Sequence, residues 1–132
     1  MLNTELALSA LALDPARAWT TGEISGAMGA NVAPTAARTA CLTLVQEGAA
    51  IRHPDGRFQA CDVLGAVHAV ITRDRDTHWT PHGLALELPA LHLTEADVVR
   101  VLGQLLARGD IELWAHAPGY RITGYVYPED HA

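Results

Sequence analysis

The sequence predicts a mainly α chain with small β-hairpins, an α+β fold, laid out as two similar units in tandem over residues 1–62 and 63–132. Three observations lead there. LVQEGAAI (44–51) aligns with LLARGDIE (105–112) at a spacing of 61 residues, placing Cys41 on Leu102, Leu44 on Leu105, Val45 on Leu106 and Gly48 on Gly109. Self-similarity at a fixed period marks a duplicated unit. Each half also carries its own helix-start signal followed by an apolar stripe that stops at a glycine, and each then ends in a Pro/Gly-containing turn between short β-prone runs. Trp19 and Trp79 stand 60 apart, so one loop residue has been gained between the tryptophans and the glycines.

In the first half, NTELALSALALDP reads as a short helix opened by Asn3 or Thr4 and closed at Asp14-Pro15. TTGE (20–23) is a capping box: Thr20 accepts from the amide of Glu23 while the glutamate reaches back. The second helix that it opens ends near Met28-Gly29. After GANV, Pro34 fits a first helical turn, where its missing N–H costs nothing. Ala37, Ala40, Cys41, Leu44 and Val45 then form a stripe at 3 and 4 spacing, and Gly48 stops the third helix as a left-handed cap. AAIRH-PDG-RFQA completes the unit as two strands around a Pro-Asp-Gly turn.

The second half repeats the order. DVLGAVHAVIT is its first helix, TPHGLALEL its second with Thr80 as cap and Pro81 in the first turn, and TEADVVRVLGQLLARG its third with Thr94 and Asp97 as capping pair. Gly109 ends that helix, and DIELWAHAPGYRITGYVY makes a longer hairpin around Pro118-Gly119. Trp114, Tyr120, Tyr125 and Tyr127 in this hairpin read first as packing aromatics and second as bases' stacking partners.

Composition narrows the function classes. A chain of 132 residues that is 49% hydrophobic is globular, not disordered. Its longest apolar runs fall short of the roughly 20 residues needed to cross a bilayer, and MLNTELALSALALDPARAW has no basic segment ahead of its apolar stretch; the expectation is a cytoplasmic protein without a membrane. Cys41 and Cys61 lie in apolar contexts without C-x-x-C spacing and read as free, buried thiols. Nine arginines, no lysine and 15 acids give a net charge of −6, which argues against strong nonspecific affinity for nucleic acid while leaving room for a local basic patch.

Three helices, a tight turn between the second and third, and a hairpin, carried most clearly by EISGAMGANVAPTAARTACLTLVQEGAAIRHPDGRF, resemble the winged helix-turn-helix superfamily. The resemblance covers the first half strongly and the second moderately. It implies a third helix that enters the major groove and a wing that reaches neighbouring phosphates. The candidates for contacting double-stranded DNA are then Thr35, Arg38, Thr39 and Thr43 on the recognition helix (34–47) and Arg52 and Arg57 on the wing (50–60). Between Arg17 and Arg57, four arginines stand against three acids. The bland alternative has Arg38 solvating a helix face and the wing arginines pairing with Asp55.

The second half suits DNA poorly, because Glu95 and Asp97 open its third helix where a phosphate would have to approach. That helix is rich in aliphatics, and Val98, Val101 and Leu105, with Trp114 of the hairpin that follows, are the second half's candidates for a partner or dimer interface, weighed against burial inside the chain. TRDRDTHW (72–79), with alternating signs, reads as a solvated loop with local pairing. His78 and His82 are four apart but span a loop-to-helix junction, and His53 and His116 occupy comparable hairpin positions, so no metal site, cofactor or catalytic centre is expected. Two functions stay open: a DNA-binding transcriptional regulator, dimeric or not, and an acidic tandem winged-helix adaptor or inhibitor that binds a protein partner, as in segregation, replication or phage contexts.

Overall fold

Residues 2–74, 76–113 and 119–122 are described by the computed structural model of the chain. Their helices and strands fall into two units, Met1–Val63 and Leu64–Ala132. Each runs helix, helix, helix, hairpin, and the whole is mainly helical with two separate two-stranded antiparallel sheets.

The first unit holds α1 (Asn3–Ala12), α2 (Thr21–Met28) and α3 (Pro34–Gln46). α1 departs from expectation at both ends: its N-cap is Leu2, with no side-chain cap bond, and it stops at Ala12, short of Asp14-Pro15. Neither Asn3 nor Thr4 caps it, because both already lie inside the first turn. α2 opens with the capping box in full, Thr20 Oγ1 accepting from Glu23 N at 3.2 Å and Glu23 Oε1 accepting from Thr20 N at 2.9 Å. α3 carries Pro34 in its first turn and buries Ala37, Ala40, Cys41 and Leu44, one face at 3 and 4 spacing, against α1 and α2. Val45, at the edge of that stripe, is partly buried.

Gly48, at φ 77°, ends α3 in a Schellman arrangement, its N–H donating to Val45 O and that of Ala49 donating to Leu44 O at 2.9 Å. The chain turns directly into β1 (Ala50–Arg52), which pairs with β2 (Phe58–Ala60) in the register Ala50↔Ala60, Ile51↔Gln59, Arg52↔Phe58. A separate bridge ties Trp19, just before α2, to Phe58 through N–H to carbonyl bonds of 2.7 and 2.9 Å. Trp19 and Phe58 sit in the same core as Leu11, Ile24, Met28 and Leu44. The hairpin is thereby stitched both to the stop of α3 and to the start of α2.

The second unit comprises α4 (Val63–Arg73), α5 (Pro81–Glu87), α6 (Glu95–Ala107), β3 (Ile111–Leu113) and β4 (Tyr120–Ile122). Thr80 Oγ1 accepts from Gly83 N at 3.0 Å to start α5, and Thr94 and Asp97 form a complete capping box on α6. Between α5 and α6 the sequence reading missed a 3₁₀ turn, Pro89–Leu91, followed by His92 at φ 54°. Gly109, also at φ 77°, repeats the Schellman stop, with Gly109 N donating to Leu106 O and Asp110 N to Leu105 O, both at 3.0 Å. β3 pairs with β4 through Ile111↔Ile122, Glu112↔Arg121 and Leu113↔Tyr120.

α6 corrects one expectation. Val98, Val101 and Leu105, the interface candidates, are buried within the chain together with Leu102. They are core positions, at the same 3 and 4 spacing as Ala37, Ala40, Cys41 and Leu44 and each 61 residues on. The aliphatic surplus is thus one stripe, with Val99 alone of these valines turned outward at 50% exposure. Trp114, Tyr125, Tyr127 and His116 lie outside the described residues.

No helix among the described residues is long and apolar enough to cross a membrane. Both thiols are free, Cys41 fully buried and Cys61 half-buried, so the expectation of two buried cysteines holds for the first alone. Burial pushes the Cys41 thiol up to about 11 and raises that of Cys61 as well, the latter with help from neighbouring Asp62.

Candidate nucleic-acid interface

The outward face of α3 follows from its buried one. With Ala37, Ala40, Cys41 and Leu44 turned inward, a helix of 3.6 residues per turn directs Thr35, Thr39 and Gln46 to the opposite side, with Arg38 and Thr43 flanking them. Thr35, Arg38 and Thr39 are exposed and Thr43 is half-buried. Pro34 leads the helix, no side chain caps it, and its first turn contains no carboxylate, so nothing anionic shields its positive end.

The threonines are less available as donors than their position suggests. Thr39 Oγ1 donates to Thr35 O at 3.0 Å, and Thr43 Oγ1 donates to Thr39 O at 3.2 Å. Their hydroxyl protons are committed to the helix backbone, which leaves a methyl group and acceptor lone pairs facing outward. A phosphate needs donors. A thymine methyl or a base amino group suits what remains. Thr35, Thr39 and Thr43 also line one wall of a groove of about 750 Å³ whose other wall is Leu2, Asn3 and Thr4 at the start of α1, a juxtaposition that nothing in the sequence signalled.

The arginines separate into two groups. Arg17 pairs with Glu23 and lies over the Trp19 ring, 4.1 Å from its centroid; Arg57 Nε pairs with Asp55 at 3.4 Å across the hairpin turn. Asp55 therefore engages Arg57 but not Arg52. Arg38 and Arg52 are exposed and make no ion pair among the described residues. In the second unit every arginine whose side chain is described is matched: Arg73 with Glu87 at 2.9 Å, Arg100 with Asp97 at 3.0 Å and Arg108 with Asp110 at 3.4 Å. Arg73 thus reaches α5 and not its neighbour Asp74, whose carboxylate instead accepts from the Thr77 hydroxyl, the main cause holding its pKa below the usual value.

The 61-residue offset gives the contrast a position-by-position form. Where the first unit exposes Arg38 and Arg52, the second exposes Val99 and Leu113, at 50% and 59%. Where α3 begins without acids, α6 begins with Glu95 and Asp97, the former within 3.2 Å of His82 Nδ1 and the latter bound to Thr94 and Arg100. His82 therefore faces a carboxylate, not His78. Among the described residues no three histidine, cysteine or acidic side chains converge as metal ligands would.

Sequence reasoning missed the residues that hold the first hairpin. Gln59 Nε2 donates to Pro15 O at 3.1 Å, and Gln59 Oε1 lies 2.8 Å from His53 Nε2. A glutamine between Phe58 and Ala60 in a short β-prone run was all that the sequence offered, and its partner Pro15 stands 44 residues away.

No protein-family model matches the chain, and no curated protein matches it.

Proposed function

We propose that the chain is a tandem winged helix-turn-helix protein whose first unit binds double-stranded DNA, with α3 as recognition helix and the β1–β2 hairpin as wing. The observation that carries this reading is the pair of exposed guanidinium groups without an ion pair among the described residues, Arg38 on the outward side of α3 and Arg52 on the hairpin, beside a helix start free of carboxylates. Arg38 supplies a fork for guanine or a phosphate, Thr35 and Thr39 supply methyl and acceptor contacts, and Arg52 supplies a backbone contact; Arg57 joins them only by giving up Asp55. The second unit takes no part in DNA contact, since Val99 and Leu113 stand at the positions of Arg38 and Arg52, Arg100 at the position of Thr39 is tied to Asp97, and Glu95 and Asp97 open its third helix. Val99 and Leu113, in place of the buried Val98, Val101 and Leu105, are its surface for self-association or a protein partner.

The test is an electrophoretic shift at low salt on duplex fragments from upstream of the chain's own reading frame. Arg38→Ala is expected to weaken binding about tenfold or more, the scale of a lost bidentate contact, with its thermal midpoint unchanged because Arg38 is exposed and makes no ion pair among the described residues. Arg100→Ala is the control and leaves binding intact. A wild-type chain that shifts nothing, or an Arg38→Ala chain that shifts equally, replaces this reading with the adaptor one, in which the same tandem units bind protein.

A further inference from the structure

The geometry points to Gln59 as the positioning residue of the first hairpin: its amide is a two-ended strut that ties the hairpin's turn to the α1–α2 loop and thereby holds the imidazole of His53 with its proton on Nε2. This inference deepens the DNA-binding reading and rests on it for its functional part only.

The chemistry leaves one orientation. The Pro15 carbonyl only accepts, so the group facing it at 3.1 Å must be the Gln59 amide nitrogen. That places Oε1, also acceptor-only, 2.8 Å from His53 Nε2, which must then donate. A flipped amide would set two acceptors against each other at Pro15, and a neutral His53 protonated on Nδ1 alone would do the same at Gln59. The strut therefore selects both the amide rotamer and the tautomer.

Its leverage comes from where its ends lie. His53 closes the hairpin, its N–H donating to Arg57 O at 2.8 Å and its carbonyl accepting from Gly56 N at 2.9 Å. Gln59 stands opposite Ile51 in the register, one residue from both Phe58 and Ala60. Pro15 lies between α1 and the Trp19 bridge. One amide thus joins the turn that follows Arg52 to the loop that precedes α2, a side-chain tie in addition to the three-residue ladder and the Trp19–Phe58 bridge.

The experiment uses the full chain and nuclear magnetic resonance. Wild-type His53, in its neutral form, is expected as the Nε2–H tautomer in ring ¹⁵N correlations; an Nδ1–H ring overturns the strut. Gln59→Met, similar in volume but neither donor nor acceptor at its tip, is expected to raise amide exchange at His53 and Gly56 by about tenfold, the scale of two lost hydrogen bonds, to release His53 into a tautomer mixture, and to leave exchange in α6 unchanged. Unchanged exchange and tautomer overturn the proposal. If Gln59→Met does not fold, Gln59→Glu decides: it keeps an acceptor for His53 but sets a carboxylate oxygen against Pro15 O, so the Nε2–H ring persists while hairpin exchange rises, and wild-type exchange overturns the strut. On DNA that the wild type shifts, Gln59→Met is expected to bind several-fold more weakly; equal affinity with a loosened hairpin overturns the positioning role. Should the wild type bind no DNA while the tautomer and exchange results hold, the DNA reading fails and the strut stands.

Discussion

Among the arginines whose side chains are described, Arg38 and Arg52 differ from the rest in making no ion pair, and that difference was half legible in the sequence. Their positions on an outward helix face and beside a Pro-Asp-Gly turn follow from periodicity, but which wing arginine Asp55 would take does not, since Arg52 and Arg57 flank the turn from either side and only geometry selects Arg57. Cys41 was legible for a plainer reason: it occupies a stripe position, and it is fully buried. Its thiol yields a signed prediction. Below pH 9.0 the group is protonated in folded and unfolded chains alike. As pH rises from 9.0 toward about 11 the unfolded chain sheds the proton first, so the unfolded state is favoured and stability falls across that window. Urea denaturation of wild type and Cys41→Ala over the window should show a smaller loss in the variant, which also starts about 1 kcal/mol less stable at neutral pH from the lost packing. Parallel curves would mean that the thiol titrates alike in both states.

The elements were read best where their ends are chosen by local chemistry. Capping boxes at Thr20 and Thr94 and glycine stops at Gly48 and Gly109 act within a few residues of themselves, so the sequence shows them directly. α1 was misread because its start is set by packing of Ala7, Ala10 and Leu11 without any side-chain cap, and the Pro89–Leu91 turn was missed because a 3₁₀ turn has too few residues to show a period. Thr20→Ala and Thr94→Ala are each expected to cost about 1 kcal/mol in chemical denaturation. The glycines divide by surroundings. At Gly109 a methyl group would meet nothing within 4 Å, so Gly109→Ala bears only the left-handed backbone, about 1 kcal/mol. At Gly119, φ 149°, it would come within 2.6 Å of the His78 and Trp79 backbones, which cannot step aside as a side chain can, so Gly119→Ala should lower the melting temperature well beyond Gly109→Ala. Equal losses would place the Gly119 turn away from the Trp79 segment.

At the scale of the molecule the net charge of −6 has to coexist with any affinity for a polyanion. The two units share the deficit unequally: four arginines against six acids in Met1–Val63, five against nine in Leu64–Ala132. Since Arg73, Arg100 and Arg108 are paired internally, the guanidinium groups that the described residues would offer a phosphate are Arg38, Arg52 and, after breaking its pair with Asp55, Arg57. Few phosphates are then neutralised, and affinity must fall only gently as counterion release loses its advantage. With two or three such contacts per chain, the logarithm of the binding constant should decline against the logarithm of salt with a slope of about −2 to −3. A strongly basic reader with eight or more contacts would instead give about −7 or steeper. Fluorescence anisotropy on a shifted duplex, repeated over a salt series with wild type and Arg52→Ala, measures the slope directly, and the variant should flatten it by about 1. A steep wild-type slope would require cations beyond those three, and an unchanged slope in Arg52→Ala would remove the hairpin from the DNA surface.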